Sequence, residues 1–242
     1  TPQISASEQI IPSPISETLV SCPDFTGKQT MALKEFNRQL KEAKNYQKSR
    51  EIIQEHVSFL GEITRAKPET IDSKTWNKEK IIIADTLNLG GTEKTPQAYH
   101  LSLDILDSVL MEEPDNRDAL NNRGYAYYGL KEYPKAMTDA GKVLLSDKDN
   151  AKAYTLQALV HFQTKNYTQA LEDAKRALAI NPNNQTAFQI SKLSSNRIVR
   201  PDKLGLSEKE QVLAKQVGQE YENMEEHRYR IEAPEQAPAP AA

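Results

Sequence analysis

The chain has one cysteine and four histidines among its 242 residues, so side chains that form disulfides or bind transition metals are scarce. A single cysteine excludes an internal disulfide framework. No histidine has a partner at metal-ligand spacing, so the sequence predicts no metal site. Cys22 lies in a proline-rich leader where nothing beside it would activate the thiol, and we expect it to be inert. The histidines are His56, His100, His161 and His227.

The chain also lacks long apolar runs and an excess of one charge. No apolar run approaches the roughly 18 residues that cross a bilayer, so no transmembrane segment is predicted. The 31 basic and 34 acidic residues give a net charge of -3 without a basic stripe, which disfavours nucleic acid as a partner. Acidic pairs such as Glu112-Glu113 are typical of solvated helix surfaces rather than of an acid and base couple. We therefore expect neither enzyme activity nor a cofactor.

A design of 34 residues occurs twice in succession, at 117–150 and at 151–184. In each copy, apolar residues recur at helical spacing in two runs separated by a short polar turn, which predicts a helical hairpin. A single hairpin cannot bury its own apolar face, so neighbouring units are expected to stack into a solenoid. Small residues stand where two helices must come close, namely Ala136, Ala140, Ala170, Ala174 and Ala177.

The period, the small residues and Pro182 near the end of the second copy resemble the tetratricopeptide repeat family. The resemblance implies an all-α fold, an α-α superhelix of stacked helical hairpins, with a C-terminal capping helix. It also implies that the first helix of each hairpin lines a concave groove. Composition agrees with a helical chain, because only 7% of the residues are aromatic and few runs alternate as strands do.

The same pattern predicts the domain organisation. A repeat array at 27–200 comprises a degenerate unit at 30–68, an irregular unit at 72–116, the two clear units, and a partial cap at 185–197. The irregular unit has an unusually long turn at 88–95 that contains Gly90-Gly91. A capping box that begins at Ser207 predicts a C-terminal helix within 201–232. The ends, a Pro- and Ser-rich leader at 1–26 and a Pro- and Ala-rich tail at 233–242, are expected to be extended.

The resemblance implies that the chain binds an extended segment or an amphipathic helix of another protein in the groove, as a non-enzymatic interaction module. Apolar side chains exposed in such a groove are typical of a partner surface. The unit at 117–150 would present Asp118, Asn121, Asn122, Tyr125 and Tyr128 to the partner. The next unit would present Lys152, Thr155, Leu156, Leu159 and Phe162, and Gln189, Ile190 and Leu193 would extend the same face.

Three alternatives remain open at this point. The groove could be filled by the chain's own helix at 206–231 or by its leader, and the chain could act as a self-associating assembly factor. Some family members hold acidic chaperone tails with a carboxylate clamp, and this chain matches the clamp at Asn122 and Lys152 but has Leu156 in place of the arginine. The Pro-rich leader and the Pro- and Ala-rich tail favour an exported bacterial protein, whereas the start at Thr1 fits a processed and a trimmed chain equally well, and the compartment stays open.

Overall fold

A computed structural model describes residues 15–43, 45–66 and 68–198, and over these ranges the chain forms ten helices and no strand. The predicted all-α solenoid is confirmed. The C-terminal helix predicted at 201–232 and the tail at 233–242 lie outside the described residues. The helices are α1 Glu17–Val20, α2 Gly27–Glu42, α3 Tyr46–Arg65, α4 Ser73–Gly90, α5 Gln97–Glu112, α6 Arg117–Gly129, α7 Tyr133–Ser146, α8 Ala151–Gln163, α9 Tyr167–Ile180 and α10 Gln185–Ile198.

Consecutive helices pack as hairpins, and the hairpins stack in chain order. The pairs α2 and α3, α4 and α5, α6 and α7, and α8 and α9 each share an interface, and α10 packs on α9 and α8. The first helices also meet one another, because α4 contacts α6, α6 contacts α8, and α8 contacts α10. These first helices therefore form one continuous side of the array.

Three asparagines, spaced 34 residues apart, begin the first helices of the last units. The side-chain oxygens of Asn116, Asn150 and Asn184 each accept a hydrogen bond of 3.0 Å from the backbone N–H three residues later. Such a cap satisfies one of the backbone donors that a helix start leaves unpaired, and it typically stabilises the helix by about 1 kcal/mol. The repeat period therefore fixes where α6, α8 and α10 begin.

A ladder of side-chain hydrogen bonds joins each first helix to the start of the next unit. Asn121 Nδ2 donates to the capping oxygen of Asn150 at 3.2 Å, and Asn184 Nδ2 donates to Thr155 Oγ1 at 2.7 Å. One unit earlier, Asn77 Nδ2 donates to Glu113 Oε1 at 2.9 Å. This ladder sets the register of neighbouring first helices, and so it positions the side chains on their common face.

Small residues allow the helices to approach closely. The alanines that the sequence placed at helix contacts are all fully buried. Gly124 of α6 has the same role between units, since a Cβ there would lie 2.5 Å from Leu156 Cδ2. Leu156 therefore fills the space that Gly124 leaves, and the two repeats interlock.

The turns inside the two clear units share an unusual backbone conformation. Lys131 and Lys165, 34 residues apart, have φ angles of 63° and 67°. After α6 the N–H of Lys131 donates to Tyr128 O and the N–H of Glu132 donates to Tyr127 O, which satisfies two carbonyls at the helix end. A left-handed residue with a side chain is disfavoured, and glycine is the usual choice there.

An ion pair behind the first-helix face ties α6 to α7. Arg123 donates from Nε and Nη2 to the two oxygens of Asp139, both at 2.8 Å, and from Nη1 to Asp107 at 2.8 Å. Asp139 is 2% exposed, so Arg123 rather than water is the main hydrogen-bond partner of its carboxylate. The paired contacts with Asp139 raise the pKa of Arg123 and keep it protonated.

The next repeat keeps the buried acid but not the arginine. Asp173 stands 34 residues after Asp139 and is likewise buried, whereas Gln157 occupies the place of Arg123. Burial raises the pKa of Asp173 to about 6. Its Oδ2 lies 3.6 Å from His161 Nε2, and burial lowers the pKa of that histidine. At neutral pH the pair is therefore weaker than its counterpart in the preceding unit.

Two predicted boundaries of structural elements differ from those in the structure. Residues 15–26 of the leader were expected to be extended, but they form α1 and bury Ile15 and Leu19 completely, because Ser16 caps α1 and places both side chains in the core. α4 continues to Gly90 and so includes the first three residues of the turn predicted at 88–95. Gly90 packs against Ile53, whose Cγ2 would lie 2.3 Å from an added Cβ, so glycine lets α4 run on beside α3.

Candidate protein-binding surface

The side formed by α4, α6 and α8 is held together by contacts between polar groups of consecutive first helices. Asn88 Nδ2 of α4 donates to the carbonyl of Asn122 in α6 at 2.8 Å. The Tyr125 hydroxyl of α6 donates to the carbonyl of Lys152 in α8 at 3.2 Å. We call the surface around Asp85, Tyr125, Tyr128, Lys152 and Gln163 the α6–α8 groove.

Six of the side chains that the two clear units were predicted to present to a partner are instead buried between helices. The exposed fraction is 4% or less for all of them except Phe162, at 8%. Consecutive first helices pack directly on each other, so residues facing the next unit are covered. Asn121 and Thr155 belong to the hydrogen-bond ladder, and Leu156 fills the space at Gly124. The six are Asn121, Asn122, Thr155, Leu156, Leu159 and Phe162.

Other predicted residues keep surface that a partner can reach. Lys152 and Asp118 are exposed, and Tyr125, Tyr128 and Gln189 are partly exposed. Further along α10, Leu193 is partly exposed and Ile190 is buried. The reachable part of the predicted surface is therefore mainly aromatic and polar.

The two tyrosines of α6 combine an apolar ring with a hydroxyl group in the groove. Burial raises the pKa of Tyr128 to about 12, so the phenol stays protonated. The Tyr128 hydroxyl accepts from Gln163 Nε2 at 3.1 Å and has no acceptor for its own proton among the described residues. Tyr128 also packs against the Tyr133 ring, with 5.9 Å between ring centroids. The Tyr128 ring is therefore held in place while the proton of its hydroxyl group stays available to a ligand.

Asp85 of α4 belongs to the groove and was missed by the sequence prediction. Its side chain is exposed, and yet burial raises the pKa of its carboxyl group, opposed by the positive charge of Lys152 and reinforced by Asp118. Both observations hold if water reaches the carboxylate from one side only, as on a concave surface. The irregular turn obscured the repeat register at this position. Asp85 nevertheless lies as many residues after its helix cap, Asp72, as Gln163 lies after its helix cap, Asn150.

The positions of the carboxylate clamp do not form a cluster of cationic and amide donors here. Asn122 is buried with its carbonyl bonded to Asn88, and Leu156 is fully buried. Lys152 is the exposed residue of the three. This part of the groove therefore presents one cation close to two acids, Asp85 and Asp118.

Within the described part of the chain, no three His, Cys, Asp or Glu side chains are grouped so that they could hold a metal ion. None of the helices described here is long and apolar enough to span a membrane. Cys22 is buried, with its Sγ 3.7 Å from Thr70 Oγ1.

Comparison with protein families identifies the repeated hairpins. Models of the tetratricopeptide repeat match residues 99–149 and 151–184, which include α6 to α9. The chain therefore contains tetratricopeptide repeats over these residues. Tetratricopeptide repeats generally serve as interaction modules without enzyme activity, so these repeats support a role as a protein-interaction scaffold. Comparison with curated proteins finds no match.

Several solved tetratricopeptide-repeat structures are similar to this chain. The first such domain of Spaghetti (RPAP3), bound to an HSP90 peptide, is 21% identical, covers 54% of this chain and 98% of its own, and has a TM-score of 0.43. The first such domain of human RPAP3 is 23% identical, covers 51% and 98%, and scores 0.42. MamA from Desulfovibrio magneticus RS-1 is 18% identical, covers 84% and 97%, and scores 0.49. At these scores the similarities carry no conclusion about the ligand of this chain.

Proposed function

We propose that the α6–α8 groove binds an extended segment of another protein. The observation that carries the proposal is the Tyr128 hydroxyl group, which is fixed by Gln163 Nε2 at 3.1 Å on a partly exposed side chain and keeps its own proton to donate. A recessed polar group of this kind gains more from a ligand partner than a group on a flat surface, because nearby protein already excludes much of the water.

The chemistry of the groove fits a peptide with an apolar residue between polar ones. The rings of Tyr125 and Tyr128 offer apolar area, and burying each against a ligand would contribute on the order of 1 to 2 kcal/mol at about 25 cal/mol per Å². The Tyr128 hydroxyl can donate to a main-chain carbonyl of the ligand, since Gln163 already supplies the proton it accepts. Lys152 would bind an acidic group of the ligand, and Asp85 would bind a basic group.

An extended segment satisfies these groups better than a helix does. A helix bonds its own backbone groups internally, whereas an extended segment leaves carbonyl and N–H groups for the side chains of the groove. The polar side chains Gln163 and Gln189, which lie on successive first helices, favour such main-chain contacts.

The proposal can be tested with peptides selected from a random dodecapeptide phage library on the full chain. For the tightest selected peptide, measured by isothermal titration calorimetry, Tyr128→Ala is expected to weaken binding at least tenfold, and Tyr128→Phe by less because the ring remains. Lys152→Ala removes the exposed cation of the groove. Lys142→Ala, which removes an exposed lysine of α7, is its matched control. Selected peptides that bind all of these variants with unchanged affinity would remove the groove from the proposal.

A second candidate function is self-association through the second helices. Met111 of α5 and Leu145 of α7 stand 34 residues apart, and they are 79% and 85% exposed. Apolar side chains at equivalent places in successive units could form a ridge that a second copy covers. Light scattering can compare the solution molar mass of the wild type with that of the double variant Met111→Gln plus Leu145→Gln. This candidate requires that the wild type forms an oligomer and that the double variant does not.

A further inference from the structure

The segment just before α1 is held by an asparagine of α2 as a bound peptide would be. The N–H of Ile15 donates to Asn37 Oδ1 at 2.9 Å, and Asn37 Nδ2 donates back to the carbonyl of Ile15 at 2.8 Å. A side-chain amide that pairs with both main-chain groups of one residue recognises backbone, whatever the side chain of that residue. Asn37 therefore holds the segment in a way that another sequence could also use.

Side-chain contacts add specificity on both sides of this clamp. Ser16 Oγ donates to Glu79 Oε1 of α4 at 2.6 Å, so the segment bridges α2 and α4. Ile15 and Leu19 are 1% and 0% exposed and serve as apolar anchors. The segment therefore has an aliphatic residue, a hydroxyl residue, and a second aliphatic residue three positions after the hydroxyl.

The segment leaves one strong acceptor of α4 unused. Glu79 is 5% exposed, and within the described residues its Oε2 is buried without any hydrogen-bond partner. A buried carboxylate oxygen that lacks a donor is unfavourable. The residues at 15–19 therefore use the site incompletely, and a ligand that brings a second donor to Glu79 would satisfy it fully.

We propose that α2 and α4 form a second peptide-binding site, separate from the α6–α8 groove, which residues 15–19 occupy as an intramolecular ligand. Its ligand in trans is a segment of another protein with the pattern aliphatic, Ser or Thr, two further residues, aliphatic. Asn37 binds the main chain of the first residue, and Glu79 accepts the hydroxyl proton of the second. Because the chain fills the site itself, a partner must displace this segment before it binds.

The first experiment weakens the intramolecular ligand and measures binding of the same sequence in trans. The probe is a fluorescent synthetic peptide of residues 13–25, titrated with the full chain by fluorescence anisotropy. Ile15→Ala plus Leu19→Ala in the protein is expected to raise affinity for the unchanged peptide at least tenfold, because apparent affinity scales with the open fraction of the site. Adding Asn37→Ala to that variant is expected to reverse the gain. A peptide that carries the two alanines itself is the matched control and should not bind.

A second measurement uses the wild-type chain and does not depend on the folding of any variant. The amides of Leu19 and Val20 are bonded to Ser16, at 3.2 Å and 3.1 Å. Excess unlabelled peptide is expected to speed hydrogen exchange at these amides, because both bonds belong to the single turn of α1, which is too short to persist once the segment has left its site. Unchanged exchange at saturating peptide would overturn the proposal, as would a loosened variant that binds no better than wild type. Binding that survives Asn37→Ala but is lost in Tyr128→Ala would place the peptide in the α6–α8 groove and also overturn it.

Discussion

Replacing Arg123 with glutamine would give the α6–α7 hairpin the same Gln and Asp side chains that the next repeat has at these two positions. In that repeat Gln157 and Asp173 stand where Arg123 and Asp139 stand one unit earlier. The substitution removes two hydrogen bonds of 2.8 Å to a carboxylate that is only 2% exposed. It leaves most of the aliphatic stem, so the expected loss comes mainly from the stranded charge.

The magnitude follows from the burial of the pair. Removing one partner of a fully buried ion pair costs about 3 to 5 kcal/mol. The Arg123 side chain is 18% exposed, and a glutamine can still donate one hydrogen bond, so we expect about 2 to 3 kcal/mol. For a protein of this size that loss corresponds to a fall in Tm of roughly 5 to 10 °C.

Thermal unfolding followed by circular dichroism tests this value on four proteins: wild type, Arg123→Gln, Asp139→Asn and the double variant. The double variant is expected to be more stable than Arg123→Gln, because it contains no stranded carboxylate. The penalty in Arg123→Gln should shrink as the pH is lowered, because protonation removes the negative charge that the substitution leaves unpaired. A Tm for Arg123→Gln within 1 °C of wild type at pH 7.5 would refute the reasoning.

Three further predictions concern stability. Asp173→Asn should raise Tm at pH 7.5 and lose this benefit below about pH 4, because a folded-state pKa of about 6, raised from 3.8, means that ionisation opposes folding. Thermal unfolding measured from about pH 3 to about pH 8 checks the sign. Gly129→Ala should cost about 1 to 3 kcal/mol in urea unfolding, since its Cβ would lie 2.3 Å from Tyr99 Cζ, and Tyr99→Leu should relieve part of that cost. Lys131→Gly should stabilise by up to about 1 kcal/mol because its φ is 63°, whereas exposed Lys142→Gly in α7 should destabilise.

The sequence was sufficient to predict the hairpins but not every boundary. Asn116, Asn150 and Asn184 recur at the repeat period, and each begins a helix, so periodicity and capping agree. The extension of α4 to Gly90 depends on a close contact with Ile53, which no local pattern encodes. The conformation at the start of residues 15–26 likewise depends on hydrogen bonds to α2 and α4, which lie far away in the sequence.

The candidate surface was predicted less well than the fold. Helical spacing correctly indicates which side of a first helix faces away from its own hairpin, but it does not say how much of that side the next unit covers. Leu156 and Leu159 were expected to face a partner and are buried, because neighbouring first helices pack directly. Asp85 could not be placed because α4 is longer than a standard first helix. The predicted domain boundaries and binding roles remain predictions.

The double role of Asn150 has a consequence for how the array melts. Its Oδ1 accepts both from Ala153 N–H, which starts α8, and from Asn121 Nδ2, which belongs to the preceding unit. Fraying of α8 at this end therefore removes a bond from its neighbour as well. Nearest-neighbour coupling of this kind makes independent loss of single hairpins costly, so residues 117–184 should unfold as one cooperative block.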